Sequence, residues 1–435
     1  MYGSSPIRRG RGSSRFTNSA PSTPLPPDRD IMEGLRLAPL QTLPIPTTTS
    51  AAKPAVITDL DSIGSYNWVK ATAPTIIVPG AYILSTSRLR ITEYTSSLPG
   101  SPPEWQNKAT PYQVPADVGL FFVDQNGFRF PSAMLLPLIL AVDKTHEAGG
   151  SPAAFEWADH FDFVTDRNGL RKLMRWIDGA DAELPPKDFR IDMQLAGRTV
   201  LFNRWEKRTR ENYSGFTYGF NFEKASTDPA LGCEESSGHH RIVKYDLNGL
   251  KMVVRFEVDA CIPSGANASR PAQSIDDLVD SLAGINLSPM SSSSAPSPKS
   301  SNGLTIREGG AVVPHSSLVE LTTRTERREA EFDWTDAYPQ LFFSQTPHHF
   351  LAVHNRGRFV AVKKRKLGSP ELRDVERTIQ PSLKKLRAAL DVIKDIVVKH
   401  GQRGRLTLVC RDGKLQVFER VSTASCLPDD VMARF

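Results

Sequence analysis

The chain has 435 residues, a formal net charge of +6 and 39% hydrophobic residues, with 33 prolines. That length suits one large domain or two ordinary ones, and the low apolar share with many prolines predicts sizeable disordered parts. The absence of any 18-residue apolar run excludes a helical membrane span, and the charge leans modestly toward anionic partners.

The four cysteines (Cys233, Cys261, Cys410, Cys426) are scattered without metal-type spacing and read as reduced thiols of an intracellular protein. No apolar stretch resembling a secretory signal is seen at the N-terminus. Residues 1–54 are rich in Ser, Pro, Thr, Arg and Gly, and are expected to be a disordered tail. Its Arg8-Arg9-Gly10-Arg11-Gly12 tract either holds phosphates or is simply solvated.

Order is expected from residue 55 to 435 as a single domain, opening with short apolar runs at 56–58, 63–68 and 75–78. Residues 90–100 read as a surplus loop with no assigned role. An apolar helix is expected over 131–142. A second helix follows Phe163, with Leu170, Leu173, Met174, Trp176 and Ile177 on one face. Arg167, Arg171 and Lys172 surround its start, either as forks for phosphate oxygens or as a surface salt-bridge set. Residues 189–195 and 199–205 alternate as a hairpin about Ala196-Gly197-Arg198. Glu223 ends an aromatic run, an odd place for an unpaired charge. The adjacent pairs His239-His240 and His348-His349 point to opposite strand faces, so each is a poor chelate.

The Asn248-Gly249 turn opens a strand from Leu250 to Val258. Alternation places Leu250, Met252, Val254, Phe256 and Val258 on an apolar face and Val253, Arg255, Glu257 and Asp259 on the other. Glu257 and Asp259 thus project side by side from a strand end, and such a pair repels itself unless it meets a cation or a proton. Residues 263–314 collapse into a low-complexity insertion. Its Asp276-Asp277-Leu278-Val279-Asp280 box reads as a chance match to a magnesium-pyrophosphate motif or as a short helix in the linker, because its flanks are polar linker and the chain is rich in strands.

A buried-type strand at 317–323 carries Glu320 and Thr322 on one face, and an acid there is costly unless satisfied. A strand at 359–362 runs into Lys363-Lys364-Arg365-Lys366, which reads as a nuclear localisation signal, a phosphate-contacting patch or a solvated strand end. Ser369-Pro370 starts a helix whose stripe runs from Leu372 to Val397, with Gly401 as its stop and Pro381 expected to kink or split it. A last hairpin joins 406–410 to 414–418.

Glu223, Glu257, Asp259 and Glu320 are the acids placed where acids are expensive. Brought together they would carry a charge near −4, which needs protons or divalent cations. Hard oxygen ligands select magnesium or manganese, and such a cluster suits two ions about 3.5–4 Å apart that clamp a phosphodiester.

Thr165-x-Arg167 with Lys172, Gly219-x-x-Phe222-Glu223, Glu257-x-Asp259, Glu320-Leu321 and an aromatic segment ending at Gln345 occur in that order. Together they resemble the DXO/Rai family of 5′-end decapping nucleases, in a divergent fungal branch, over about residues 115–420. The resemblance implies a mixed α/β fold with a PD-(D/E)XK-nuclease-like core, built of two mostly antiparallel or mixed sheets with flanking helices. It implies removal of incomplete, NAD or triphosphate caps from RNA 5′ ends, followed in some members by 5′→3′ degradation. By position, Glu223, Asp259, Glu320 and the Leu321 carbonyl would ligate the two ions. Glu257 would hold a metal-bound water, Gln345 would face the nucleophile, and Arg167, with Arg171 and Lys172, would hold RNA or cap phosphates. A nuclear location, RNA 5′ ends and a 5′→3′ exoribonuclease as partners, and no membrane follow as expectations. One departure stands out. Thr322 occupies the position of the family's second-strand lysine, and loss of one positioned cation costs on the order of 10²–10³ in rate. The alternative expectation is therefore a catalytically weak relative that binds RNA or an exonuclease.

Overall fold

The strand that carries the Glu257/Asp259 pair lies in the middle of a large sheet, and the rest of the architecture explains how. The computed structural model describes residues 25–48, 53–79, 101–149, 154–158, 160–179, 186–230, 232–263, 299–308 and 313–435. Among these residues the larger sheet has twelve strands. Edge to edge they are β1 (Gln41–Leu43), β21 (Lys414–Glu419), β20 (Leu406–Arg411), β8 (Phe189–Ala196), β9 (Thr199–Trp205), β7 (Phe163–Asp166), β13 (Leu250–Val258), β12 (Ser236–Leu247), β2 (Ile57–Val69), β3 (Thr75–Val78), β16 (Leu304–Glu308) and β15 (Lys299–Ser301). A seven-stranded sheet follows the order β11 (Thr227–Asp228), β4 (Glu104–Trp105), β14 (Ala260–Cys261), β17 (Leu318–Thr325), β18 (His348–Asn355), β19 (Arg358–Lys366) and β5 (Tyr112–Gln113). A small ribbon pairs β6 (Val118–Phe122) with β10 (Arg210–Ser214). Both main sheets mix parallel and antiparallel pairs, as the sequence led one to expect.

Seven α-helices flank the sheets among the described residues: α1 (Gln125–Arg129), α2 (Leu136–Ala148), α3 (Arg167–Asp178), α4 (Gly219–Ser226), α5 (Trp334–Ser344), α6 (Arg373–His400) and α7 (Asp429–Met432). Leu170, Leu173, Leu383, Leu390 and Ile393 from α3 and α6 share one core with Met252, Val254 and Phe256. On the opposite face Leu136, Ile139 and Val142 of α2 pack with Val253 and Val164. The larger sheet is therefore covered on both sides. That corrects the expected division of β13: Val253 and Arg255, assigned to its polar face, are fully buried. Arg255 is satisfied there by Asp166, at 2.6 and 2.9 Å.

Three further expectations change. Residues 25–48 belong to the segment expected to be disordered, yet β1 pairs with β21, and Leu35 and Leu43 are buried. The edge of the terminal hairpin offers open backbone groups that this polar-looking segment completes. Residues 299–308, at the end of the expected insertion, form β15 and β16, and β16 runs parallel to β3 with Leu304 and Ile306 in the core. Helix α6 continues unsplit through Pro381, after a 3₁₀ turn at Pro370–Leu372, and Ser369 makes no side-chain cap. The Arg-Gly tract, residues 90–100 and the Asp276–Asp280 box lie outside the described residues.

Candidate active site

The chain crosses from one main sheet to the other at a single residue. Val258 ends β13, Ala260 begins β14, and Asp259 is the joint. Ala260 pairs with Val319, which brings β17 and Glu320 alongside, and Asp259 Oδ2 accepts the Leu321 amide at 2.7 Å. Helix α4 is anchored on the smaller sheet by Phe222, whose ring centroid lies 4.4 Å from that of Phe359, and the next residue is Glu223. Strand β7 runs parallel to β13 with Asp166 beside Arg255, so Arg167, the first residue of α3, emerges at the same sheet end as Glu257.

The four acids singled out in the sequence converge. Burial first, then the charges of Glu257, Glu320 and Asp117, raise Glu223 to about 8. Asp259 is pushed well above the ordinary carboxylate range by burial, then by Glu320 and Glu223, against which the Leu321 amide is a smaller opposing influence. Glu257 is also raised, chiefly by burial, although Arg204 and Arg167 pull it down. Its side chain still meets solvent; a group at the floor of a cleft is ringed by protein atoms yet open at one side. Among the described residues no three His, Cys, Asp or Glu side chains stand at ion-holding geometry. The acids are electrostatic neighbours rather than a closed cage. The donor set nonetheless fits a hard divalent cation: crowded carboxylates short of positive charge are what such an ion satisfies.

What balances the cluster here is Arg167. It donates to Glu320 Oε2 at 2.7 Å, and its guanidinium lies over the Phe256 ring, 5.6 Å from the centroid. Gln340, with its amide turned to suit its neighbours, donates to Glu320 Oε1 at 2.6 Å and accepts from Arg171 at 3.0 Å.

The other expected phosphate ligands are placed differently. Lys172 is buried, paired with Glu206 at 3.0 Å and donating to the Trp205 carbonyl at 2.9 Å. Burial holds its pKa below the ordinary lysine value. It closes α3 onto β9 and is not available to phosphate, because its ammonium is already taken up by Glu206 and the Trp205 carbonyl. Arg171 is held by Asp336 at 3.0 Å. Gln345 is the left-handed cap of α5, with φ 50°, and its side-chain amide donates to the Phe342 carbonyl at 2.7 Å. Leu321 enters the cluster through its amide. Thr322 shares the Glu320 face and lies 3.1 Å from His349 Nε2. The ring of His349, flanked by Phe332 and Trp334, is pushed down to about 4 chiefly by burial, so no cation stands at this position near neutral pH. His239 and His240 do face opposite ways, toward Asn67 and Asn126.

A polar cavity of about 190 Å³ opens beside Glu257, lined among others by Gln125, Asn126, Arg167, Arg204 and His240. Gln125 Oε1, His240 Nδ1, Asn168 Oδ1 and Arg171 Nε are buried around it with no partner among the described residues. Unpaired buried polar atoms are costly and point to a polar ligand or water. Gln125, Arg204 and His240 were not read from the sequence as site residues. The only signal was the alternation of Thr199–Trp205, which puts Arg204 on the face opposite Trp205.

Residues 89–435 match a family model described as "Domain of unknown function (DUF8563)". No curated protein sequence matches the chain. Solved structures share its fold, among them two of Rai1 proteins. A crystal structure of Candida albicans Rai1 in complex with pU5-Mn2+ is 12% identical, with a TM-score of 0.52 over 91% of this chain and 98% of that one. Scheffersomyces stipitis Rai1 in complex with (3'-NADP)+ and calcium ion is 10% identical, with a TM-score of 0.52 over 91% of this chain and 95% of that one. At these identities the likeness is one of fold, and it agrees with the mixed architecture expected from the sequence motifs.

Proposed function

The chain belongs to the family described as a domain of unknown function (DUF8563), and from that premise and the geometry of its cleft we propose that it is a divalent-metal-dependent hydrolase of RNA 5′ ends. The observation that carries this reading is the meeting of Glu223, Glu257, Asp259 and Glu320, from α4, the β13–β14 joint and β17, in one cleft with Arg167. A protein that only binds an anion has no reason to crowd carboxylates beside it.

Glu223, Asp259 and Glu320 would hold Mg2+ or Mn2+, two ions in the full reading, with the Leu321 carbonyl alongside. When bound, such an ion polarises a phosphoryl oxygen and eases deprotonation of water. The rest falls to the chain itself. Glu257, raised in pKa and open to solvent, accepts the proton of an attacking water. Arg167 exchanges Glu320 for a phosphate oxygen once positive charge arrives at the acids. The unpartnered atoms of Gln125, Asn168 and His240 orient the polar groups next to the scissile bond. Incomplete, NAD and triphosphate caps, 5′→3′ degradation, a nuclear location and an exoribonuclease partner belong to the same proposal. The named complexes of the two Rai1 structures, with pU5-Mn2+ and with (3'-NADP)+ and calcium, support the substrate class and the cation type.

The test uses 5′-triphosphate, NAD-capped and 5′-monophosphate RNA with Mg2+ or Mn2+ and with chelator. Product release is expected with the cation, absent with chelator, and reduced at least about 100-fold in Glu257→Ala and in Asp259→Ala. Release that persists in both variants sinks the reading. Thr322, with the Arg167–Glu320 pair, favours a second reading, a relative that binds RNA with little or no hydrolysis. Salt-sensitive binding without product, unchanged by the two substitutions, supports it. A gain of rate in Thr322→Lys would locate the deficit at that position.

A further inference from the structure

The basic run Lys363–Lys366 has a second life once it is placed on β19. Side chains alternate along a strand, so the run divides in two. Lys363 pairs with Glu329, and Arg365 lies over the Trp334 ring at 5.2 Å and 3.9 Å from Glu371. Lys364 and Lys366 take the other face, paired in register with Phe350 and His348 of β18. Among the described residues no carboxylate lies within ion-pair reach of either. Because Glu320 is in register with His349, it takes the opposite face of the sheet from Lys364 and Lys366.

The two lysines line a cavity of about 670 Å³ whose floor is aromatic. Trp105 and Phe350 are 6% and 2% exposed, and the Lys364 ammonium stands 4.9 Å above the Phe350 ring while donating to Asn107 at 2.9 Å. The indole N–H of Trp105 is buried with no acceptor among the described residues. Cations spaced two residues apart along a strand are about 6.8 Å apart, close to the step between phosphates of an extended single strand. A positive rim beside a half-buried ring, that of His348, is the combination that tracks a single-stranded backbone while giving a base a surface to lie on.

We propose that this cavity is a second contact for single-stranded RNA, outside the carboxylate cleft, with phosphates on Lys364 and Lys366 and a base beside the half-buried ring of His348. The choice of RNA rests on the function proposed above, but the test needs no hydrolysis. Full-length protein is titrated, in chelator, with a 15-nucleotide and a 3-nucleotide 5′-monophosphorylated oligouridylate over a range of salt. In the double variant Lys364→Glu/Lys366→Glu the 15-mer is expected to bind roughly tenfold more weakly or worse. The salt slope should fall by roughly 1.4, two contacts at about 0.7 each. The 3-mer, too short to span both sites, is expected to bind as before.

A double reversal on the far helix, Arg377→Glu/Lys399→Glu, controls for net charge, and thermal unfolding controls for folding. If the reversal does not fold, Lys364→Gln/Lys366→Gln replaces it, and a 4-thiouridine 15-mer is photo-crosslinked to wild type, with adducts expected in the peptides holding His348 or Lys364. Equal loss in the charge control, equal loss for the 3-mer, adducts elsewhere, or no binding of the 15-mer by wild type overturns the proposal. An inert cleft together with an intact lysine effect would sink the hydrolase reading and leave this one standing.

Discussion

Lys172 shows how a single position divides structure from function. It sits beside Arg171 in a cationic patch, yet it is buried against Glu206 while Arg167, one turn back, reaches the acids. Lys172→Ala leaves Glu206 with Arg204 alone, 2.9 Å away, and leaves the Trp205 carbonyl without its donor, a loss of about 1–3 kcal/mol. The expected result is a clear loss of stability in urea unfolding, with RNA affinity of the folded fraction unchanged; a selective loss of affinity at full stability would return Lys172 to the phosphate ligands. The acids carry a second prediction. Glu223 is raised to about 8 by burial and then by its acidic neighbours. A carboxyl whose folded pKa exceeds its unfolded value penalises folding as it ionises, so the penalty is absent below the unfolded value and grows up to the folded one. In chelator the melting temperature should therefore fall from pH 5 to pH 8. Mn2+ should restore more at pH 8 than at pH 5, and Glu223→Gln should flatten the profile. A melting temperature independent of pH in both proteins would show that the acids do not share one charge-starved cleft.

At the scale of elements, alternation and helical stripes were sufficient to place β13, β8, β9, α3 and α6, but not the polar face expected of β13, because the larger sheet is covered on both sides. The acids were legible because each breaks an apolar pattern. Gln125, Arg204 and His240 were not, because they come from a short helix and two strands far apart in sequence, and only the topology brings them to one cavity. Strand β1 was illegible for another reason: Gln41-Thr42-Leu43 has too few apolar residues to announce a strand, and it forms by completing an edge that β21 leaves open. Deleting residues 1–48 should cost about 2–4 kcal/mol through loss of buried Leu35 and Leu43 and of the edge pairing, whereas deleting residues 1–24 leaves β1 in place. Chemical denaturation of the two truncations distinguishes them, and equal stability would show that β1 adds nothing.

At the scale of the whole molecule, two sheets are joined at Asp259, with Glu257 on one and Glu320 on the other, and one core takes Cys261 and Leu318 from the smaller sheet beside Val254 and Phe256 from the larger. The reach between those carboxylates is thus a gauge of how the sheets are aligned. A core is close-packed and passes displacement along rather than absorbing it. Repacking a buried side chain far from the cleft, enough to slide one layer against its neighbour, would detune the grip on a cation without altering any group that touches it. Affinity for Mn2+ then becomes a sensitive reporter of interior fit, and weakened ion binding in a distant variant is a mechanical symptom rather than a sign that a ligand has been found.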